Sequence, residues 1–329
     1  MKHYPAYGFL VVILLFAGCG GGDETETGLI PIKIQTDWYA QAEHGGFYQA
    51  MVEGYYEDVG LDVTIMQGGP NAMEVQKTAS QQVQFTLGRS DTTMIYTARD
   101  IPIVMVAAFM QHDPQALLFH EESGIDSFED LDGKTVMIVP GSVFIDVLNS
   151  QFGININVIP LDYGMSRFMN DKDFIQQCFI TNEPYYAARE GANPKTLLLA
   201  DTGFDPYRVI YTNSSFARKN PEVVKAFVAA SIKGWASYMA GPREKANALI
   251  QSLNPKMTDD FLNYSIDTMA ENQLIAGRDE NEALGLITHA RINDQIRMLE
   301  ESDLLDRPIT AEEVAPIAYL PAELQAMSK

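Results

Sequence analysis

Residues 30–66 decide the fold, and they read IPIKIQTDWYAQAEHGGFYQAMVEGYYEDVGLDVTIM. The run 30–36 is short and β-rich, and the run 44–59 is typical of a helix. Apolar side chains follow helical spacing in that second run: Phe47, Met51 and Tyr55. Gly60 stands where a left-handed residue would end the helix, and residues 61–66 form another β-rich run. This order of strand, helix and strand predicts α/β architecture.

Short β-rich runs continue to alternate with amphipathic stretches as far as residue 212, and the remainder is almost wholly helical. The further predicted strands are residues 83–87, 101–109, 135–139, 158–161, 177–181, 196–200 and 209–212. The predicted helices include residues 72–82, 221–240 with Asn220 as the cap, 258–272 and 281–301. The strands therefore fall into two groups, followed by a helical region.

Two strand-rich units and a return to helices indicate two lobes, between which the chain crosses twice. We place the crossings near residues 109–116 and 205–211. The first lobe is then predicted to comprise residues 29–114 and 207–329, and the second to comprise residues 115–206. Ligands of such folds bind between domains and at the carboxyl ends of strands.

The N-terminus has the features of an export signal. Lys2 precedes eight consecutive apolar residues, 9–16, and this run is too short to span a membrane. We therefore predict a signal peptide over residues 1–18. The end of the signal is similar to a bacterial lipobox, so Cys19 is the expected lipidation site; the alternative is an ordinary signal peptide with an incidental cysteine. Residues 19–28 are expected to form a flexible acidic tether.

Composition and charge exclude several classes of protein. The chain has 329 residues, 46% of them hydrophobic, and a formal net charge of −21. We expect no nucleic-acid partner, because nucleic-acid binding needs a basic face and no run of Lys or Arg occurs. Two cysteines form no disulfide framework, and no Cys/His spacing suits a metal. The apolar neighbours of Cys178 indicate a buried structural thiol.

Four stretches of the sequence carry a family resemblance. They are residues 36–48 (TDWYAQAEHGGFY), 54–63 (GYYEDVGLDV), 130–136 (DLDGKTV) and 216–222 (FARKNPE). The chain resembles the thiamine-pyrimidine-precursor branch of the periplasmic substrate-binding proteins. The broader group includes nitrate, sulfonate and taurine binders and a fungal thiamine-pyrimidine synthase. The resemblance implies a two-lobed type II periplasmic-binding-protein fold. It also implies a role in an ABC importer, with a permease and its cytoplasmic ATPase as partners.

Candidate ligand-binding residues lie at strand ends, at helix starts and at the crossings. They are Trp38, His44, Ser90, Asp91, Gln111, Gly141, Ser142, Tyr163, Glu183, Tyr186 and Tyr207. Trp38 follows the first strand, where its indole offers a stacking face to a flat heterocycle. Gly141 and Ser142 open a helix after a buried strand, which suits a polar or anionic group. The resemblance places an acidic ligand-contacting residue at Glu183.

Several of these candidates have an alternative structural role. The alternative role for Trp38 is that of a core residue at a lobe corner. The alternative role for His44 is that of a capping or solvated residue at a helix start. For Ser90 and Asp91 the alternative is capping of the helix that follows them. The sequence leaves these alternatives open.

A catalyst is the first alternative function. The fungal synthase has a Cys-rich run near the second crossing and a Lys for pyridoxal phosphate near the first strand. Here residues 203–207 contain no Cys, and no Lys lies between Lys33 and Lys77. No catalytic Ser/His/Asp elbow or phosphate-binding loop is present either. We therefore expect a binding protein with neither cofactor nor metal.

A different ligand is the second alternative. Nitrate or sulfonate sites need cations or many N–H donors, whereas the candidates here are aromatic and acidic. An aminopyrimidine is therefore the first choice, and a flavin-like or other aromatic vitamin precursor is the runner-up. Arg89 and Arg208 lie beside candidate residues, so an anionic ligand such as taurine remains an alternative.

The lipid anchor makes the first testable prediction. Expression of the full chain in a bacterium should give membrane-associated protein whose mass includes lipid on Cys19. Cys19→Ser should give only unlipidated protein, because the thiol that accepts the lipid is absent. Mass spectrometry of both products checks this, and an unlipidated product from the unchanged sequence would contradict it.

Overall fold

The computed structural model describes residues 28–328, so the predicted signal peptide and Cys19 lie outside the described residues. The strands are β1 (Ile30–Gln35), β2 (Leu61–Met66), β3 (Phe85–Arg89), β4 (Ile103–Met110), β5 (Gln115–His120), β6 (Thr135–Ile138), β7 (Asn157–Pro160), β8 (Ile175–Phe179), β9 (Pro194–Leu198) and β10 (Arg208–Asn213). The first helices are α1 (Gly45–Val52), α2 (Glu74–Ala79), α3 (Ser90–Ala98), α4 (Phe144–Phe152), α5 (Ser166–Asn170) and α6 (Glu183–Arg189). The later helices are α7 (Ser214–Lys219), α8 (Pro221–Ala240), α9 (Glu244–Leu253), α10 (Asp259–Glu271), α11 (His289–Glu301), α12 (Ala311–Val314) and α13 (Ala322–Met327).

The strands form two five-stranded sheets with the same plan. The first sheet has the order β2-β1-β3-β10-β4, and the second has the order β7-β6-β8-β5-β9. Three neighbouring strands are parallel in each sheet, and the fourth position holds an antiparallel strand. That antiparallel strand is β10 in the first sheet and β5 in the second, and each follows a segment that joins the two sheets. The predicted α/β class is confirmed.

The predicted helix over residues 44–59 is shorter than the apolar spacing suggests. It ends as α1 at Val52, because Gly54 has a φ of 73° and a left-handed residue cannot continue an α-helix. The chain then makes a 3₁₀ turn over Glu57–Val59. Gly60 ends that turn with a φ of 82°, so the predicted left-handed residue is present but caps a different element.

Three other sequence expectations differ from the structure. Strand β5 lies partly where we placed a crossing, although all six of its residues are buried between β8 and β9. The predicted helix over 281–301 begins only at His289, because residue 285 instead bridges to β4. Asn220 occupies the cap position of α8 but makes no side-chain cap bond there, since its amide donates to the carbonyl of Phe216.

Close packing of α1 on α8 holds the first lobe together. A Cβ on Gly46 would lie 2.1 Å from the Trp235 ring, and one on Gly45 would lie 2.1 Å from the Tyr238 ring. Gly234 of α8 meets the backbone of α1 in the same way, at 2.3 Å from the carbonyl oxygen of residue 46. Glycine at these positions lets two buried aromatic rings lie directly on α1.

None of the helices in residues 28–328 combines the length and the apolar character needed to cross a membrane. The longest of them, α8, has 20 residues and alternates buried with exposed positions.

The packing of α1 on α8 makes the second prediction. Gly46→Ala should lower the free energy of unfolding by about 1–3 kcal/mol, because the added methyl group overlaps the indole of Trp235. Urea denaturation measures the change. Gly164→Ala is the control, since its Cβ would meet only an exposed Asp162 oxygen at 3.3 Å. Equal stability of the two variants would contradict the packing argument.

Candidate functional site

Two adjoining chambers form a cleft between the sheets. The inner chamber has a volume of about 370 Å³, and the outer chamber has a volume of about 780 Å³. The residues that line both are Trp38, Gln41, Pro70, Leu161, Tyr163, Asn182 and Glu183. They come from loops that follow the carboxyl ends of β1, β2, β7 and β8. This position is where open α/β sheets bind ligands.

An aromatic pair spans the cleft. The rings of Trp38 and Tyr163 have centroids 5.2 Å apart and a tilt of 32°, and they belong to loops of different sheets. The Trp38 loop is fixed by its backbone, because the Trp38 carbonyl accepts from the Thr36 hydroxyl at 2.6 Å and from the Gly68 amide at 3.0 Å. Tyr163 is 49% exposed and has a φ of 59°, so it stands out from its loop toward Trp38.

Glu183 is the acidic group shared by the two chambers. It opens α6, and its Oε2 accepts from the amide of Phe179 at 2.8 Å. Its Oε1 accepts no hydrogen bond from any other residue in the described part of the chain. Burial raises the pKa of Glu183 to about 7, and the nearby Glu43 adds to the rise. A carboxyl group that changes charge near neutral pH therefore lines the cleft.

Glu43 is a second buried carboxyl group, close to Glu183. It is 3% exposed, and its Oε1 accepts a hydrogen bond from the Thr181 hydroxyl across the two sheets. Burial raises the pKa of Glu43 above its ordinary value. Glu43 and Thr181 thus link the first lobe directly to the segment that carries Glu183.

His44 contacts a residue of the cleft wall. Its Nε2 lies 2.8 Å from Oδ1 of Asp37, a residue that lines the inner chamber, whereas His44 itself lines neither chamber. Burial lowers the pKa of His44 to about 4, so the ring is neutral at pH 7 and donates to the carboxylate. His44 therefore positions Asp37.

Arg208 completes this buried cluster. Its guanidinium pairs with Oδ2 of Asp37 and lies 5.3 Å from the ring centre of Phe179 in the second sheet. Burial lowers the pKa of Arg208 to about 10, which leaves the group charged at neutral pH. Asp37 therefore balances the positive charge of Arg208 within the protein itself.

Four predicted site residues lie at the junction of the crossing segments. The Ser90 hydroxyl donates to Gln295 at 2.5 Å, and it accepts from the amide of Tyr207 at 2.9 Å. Asp91 pairs with Arg89, and the Gln111 amide donates to the carbonyls of residues 283 and 286. All four are buried and line neither chamber. Each makes side-chain contacts within the protein, although the buried Oε1 of Gln111 accepts no hydrogen bond from residues 28–328.

A charged network at this junction was not predicted. His112 lies 2.5 Å from Asp205 through Nδ1 and 2.9 Å from Glu282 through Nε2. Arg291 pairs with Asp205 at 2.9 Å, and the amide of Asp113 donates to Asp205 at 3.0 Å. Asp205 therefore ties the crossing at 111–114 to the crossing at 203–207.

Gly141 and Ser142 lie just behind the inner chamber. The Ser142 hydroxyl donates to the carbonyl of Val139 at 2.6 Å, and Val139 and Gln177 form the chamber wall. Neither Gly141 nor Ser142 lines a chamber. The structure thus brings Trp38, Tyr163, Glu183 and, in the outer chamber alone, Tyr186 to the cleft.

Some polar residues of the cleft were missed. Asp37, Gln41, Gln177 and Asn182 line the inner chamber. Asp37 and Asn182 do stand directly after predicted strand ends, which is the signal that selected Trp38. Gln177 is inside a strand, and only the orientation of β8 reveals which face it presents.

The architecture and the cleft define the class of fold. Two α/β lobes are joined by two crossings, and the cleft between them lies at the carboxyl ends of their strands. This is the two-lobed periplasmic-binding-protein fold predicted from the sequence. The aliphatic sulphonate binding protein SsuA from Escherichia coli has this fold, with a TM-score of 0.65 at 14% sequence identity. The match covers 88% of this chain and 98% of that one.

The sequence then places the chain in a family. Residues 41–245, more than half of the chain, match the family model described as NMT1/THI5 like, and the chain belongs to that family. It is similar to a formylaminopyrimidine-binding protein from Halalkalibacterium halodurans, with 24% identity over 95% of this chain and 98% of that protein. It is also similar to a 4-amino-5-hydroxymethyl-2-methylpyrimidine phosphate synthase from Candida albicans, with 27% identity over 70% of this chain and 73% of that enzyme.

The raised pKa of Glu183 makes the third prediction. Between pH 4.5 and about 7 the folded protein binds more protons at Glu183 than the unfolded chain does, so this group's contribution to stability is lost as the pH rises. Glu183→Gln removes that loss. The free energy of unfolding of Glu183→Gln minus that of the unchanged protein should therefore increase by on the order of 1–3 kcal/mol between pH 4.5 and pH 8.

Urea denaturation at the two pH values measures this difference. Glu190→Gln is the control, because it removes an exposed carboxyl group at the end of the same helix, and the rise with pH should be larger for Glu183→Gln than for Glu190→Gln. A difference for Glu183→Gln that stays constant with pH would show that the carboxyl group titrates normally.

Proposed function

We propose that this chain is the exported, lipid-anchored solute-binding component of an ABC importer, and that its cleft binds a small flat heterocycle that carries an amino group. One observation carries the proposal: two aromatic faces and a carboxyl oxygen with no partner residue line the same cleft. Aromatic faces bind a flat ring by stacking, and the oxygen of Glu183 accepts from an amino group. A pyrimidine precursor of thiamine fits this description.

The geometry also sets what must move on binding. A ring between two aromatic faces needs centroids about 7 Å apart, because each stacked contact takes about 3.5 Å. The centroids of Trp38 and Tyr163 are 5.2 Å apart, so these two residues must separate by roughly 2 Å. Since they belong to different lobes, binding is coupled to the angle between the lobes.

The charges of the inner chamber weigh against a small anion. Asp37, Glu74 and Glu183 supply carboxyl groups to its wall, and among residues 28–328 no Lys or Arg lines it. Arg208 lies behind Asp37 and is paired with it. A nitrate or sulfonate would therefore face carboxyl groups without a compensating cation.

The relatives support a pyrimidine more than a sulfonate. One related protein is named for binding a formylaminopyrimidine, and it aligns with nearly the whole of this chain. Another is named as a synthase of a pyrimidine phosphate, a compound that contains the same kind of ring. For this chain we propose binding without catalysis. Burial raises the pKa of the Cys178 thiol at the inner wall well above its ordinary value, which disfavours a nucleophilic role.

The fourth prediction tests the site with isothermal titration of an aminopyrimidine, riboflavin, taurine and nitrate. Trp38→Ala should weaken binding of the heterocycle by about 2–3 kcal/mol through lost stacking and apolar contact. Glu183→Gln should weaken it by roughly 1–3 kcal/mol, because the ligand's amino group would face a second donor. Glu190→Gln should leave the affinity unchanged.

Trp38→Phe provides a graded test, since it keeps a smaller aromatic face and should recover part of the lost affinity. Tight binding of taurine or nitrate that ignores the changes at Trp38 and Glu183 would overturn the proposal. Formation of a pyrimidine phosphate by the protein, detected by mass spectrometry, would favour the synthase-like alternative instead.

A further inference from the structure

The anchored segment, residues 180–186, contains Glu183 and follows β8 of the second sheet, yet side chains of the first lobe bind it. The Thr181 hydroxyl donates to Oε1 of Glu43, and the Thr181 carbonyl accepts from the Ser265 hydroxyl at 2.8 Å. Thr181, Glu43 and Ser265 are buried. Loss of a partner leaves a buried polar group unsatisfied, so these bonds oppose separation of the segment from the first lobe.

Helix α10 of the first lobe supplies further links to the same segment. The Tyr264 hydroxyl donates to the carbonyl of Ile180 at 2.9 Å. The Phe261 ring stacks on Tyr185 with centroids 4.7 Å apart, and it meets the ring of Tyr186 edge-on with centroids 4.8 Å apart. Both ring arrangements are favourable beyond the apolar area that they bury. Helix α10 therefore packs along the start of α6.

The anchored segment begins beside the first crossing. The amide of Ile180 donates to the carbonyl of Pro114 at 2.9 Å, and Gln115 lies opposite Phe179 where β5 pairs with β8. The segment is therefore held by the crossing on one side and by Glu43 and α10 on the other. This position is close to the place where the two lobes are joined.

The outer loop, residues 161–170, carries Tyr163 and lacks such links. It follows β7, the edge strand of the second sheet. Within residues 28–328, no hydrogen bond or ion pair joins the outer loop to the first lobe. It meets that lobe through apolar contact, including the pair of half-exposed Tyr163 with Trp38. The first lobe therefore holds the anchored segment more firmly than the outer loop.

We propose that Glu43, Tyr264 and Ser265 are positioning residues for the ligand, because they make the anchored segment a third, non-covalent part of the hinge. When the lobes open, Glu183 then stays beside Trp38 and the outer loop withdraws. The proposal rests on the function proposed above and adds an order of events to it. A ligand first meets a preformed half-site of one aromatic face and one carboxyl group, and the outer loop closes over it afterwards.

This order also accounts for the separation that stacking requires. A ring between Trp38 and Tyr163 needs roughly 2 Å more space than their centroids now leave. Rotation about the anchored segment supplies that space at the outer loop, with little displacement of Glu183. Movement of the whole second lobe away from the first would instead draw the carboxyl group away from a ring that is stacked on Trp38.

Distances between spin labels test the proposal without a ligand. Cys19→Ser removes the predicted lipidation site and Cys178 is buried, so labels attach to introduced surface cysteines. A reference label at Glu57 of the first lobe is combined with a label at Ala188, which gives the α6 distance, or at Ser166, which gives the outer-loop distance; all three positions are exposed. The α6 distance should have a narrow distribution and the outer-loop distance a broad one.

A double variant removes two of the links and keeps the rings of α10. Tyr264→Phe combined with Ser265→Ala should broaden the α6 distance, because both carbonyls of the anchored segment lose their donors. Tyr238→Phe combined with Ser231→Ala is the matched control, since it removes two buried hydrogen bonds that lie within the first lobe. The control should lose stability but keep the α6 distance narrow. Tyr264→Phe alone is used if the double variant gives no cooperative thermal transition.

Glu43 is tested by a graded pair of variants. Glu43→Ala should broaden the α6 distance, because it leaves the Thr181 hydroxyl without its acceptor. Glu43→Gln should keep the distance narrow, since its amide oxygen still accepts from that hydroxyl. An α6 distance that is as broad as the outer-loop distance in the unchanged protein, or that stays narrow in Glu43→Ala and in the double variant, overturns the proposal.

Stopped-flow binding of an aminopyrimidine separates this inference from the proposed function. The double variant should bind with an association rate constant about three- to tenfold lower, because its half-site is assembled for only part of the time, and the control should match the unchanged protein. Equal association rates in the double variant and the control would show that the links do not position the ligand. If the aminopyrimidine does not bind the unchanged protein, the proposed function fails, while the label distances still decide whether the anchored segment belongs to the hinge.

Discussion

The buried guanidinium of Arg208 is the constraint on which the cleft depends. A charge removed from water must be paired, and Asp37 supplies the pairing carboxylate. Strand β10 places the cation there, because its first residue, Arg208, lies opposite Arg89 and Met110, the last residues of β3 and β4. The same guanidinium lies over Phe179 of the second sheet. One cation therefore fixes the loop after β1 and its approach to the other lobe.

That arrangement separates the groups that build the cleft from those that remain available in it. His44 and Arg208 occupy both oxygens of Asp37, and Thr181 occupies Oε1 of Glu43. The groups that remain open to the cleft include one oxygen of Glu183, the faces of the two aromatic rings, and the polar side chains of Gln41, Glu74 and Asn182. Under the function proposed above, selectivity follows from stacking and hydrogen bonding, with little net positive charge to attract an anion.

The sequence predicted the features that depend on neighbours in the chain. The α/β class and most strands follow from local alternation. Trp38 was selected by its place after a strand end, and Glu183 by the family resemblance. The antiparallel strand β5 was missed because its burial comes from β8 and β9, which lie far along the chain. The roles of Glu43, His44 and His112 depend on partners that only the fold brings near, such as Thr181 for Glu43 and Asp205 for His112. Burial of Ser90, Gln111 and Tyr207 at the crossings has the same origin.

The position of β10 in the first sheet also governs the order of assembly. β4 is joined to that sheet only through β10, which lies about a hundred residues further along the chain. All five strands of the second sheet fall between residues 115 and 198, within that interval. A chain that emerges from its N-terminus can therefore complete the second sheet while the first still lacks its fourth strand. The late return of β10 closes the first lobe, and such long-range pairing is the slow step in folding.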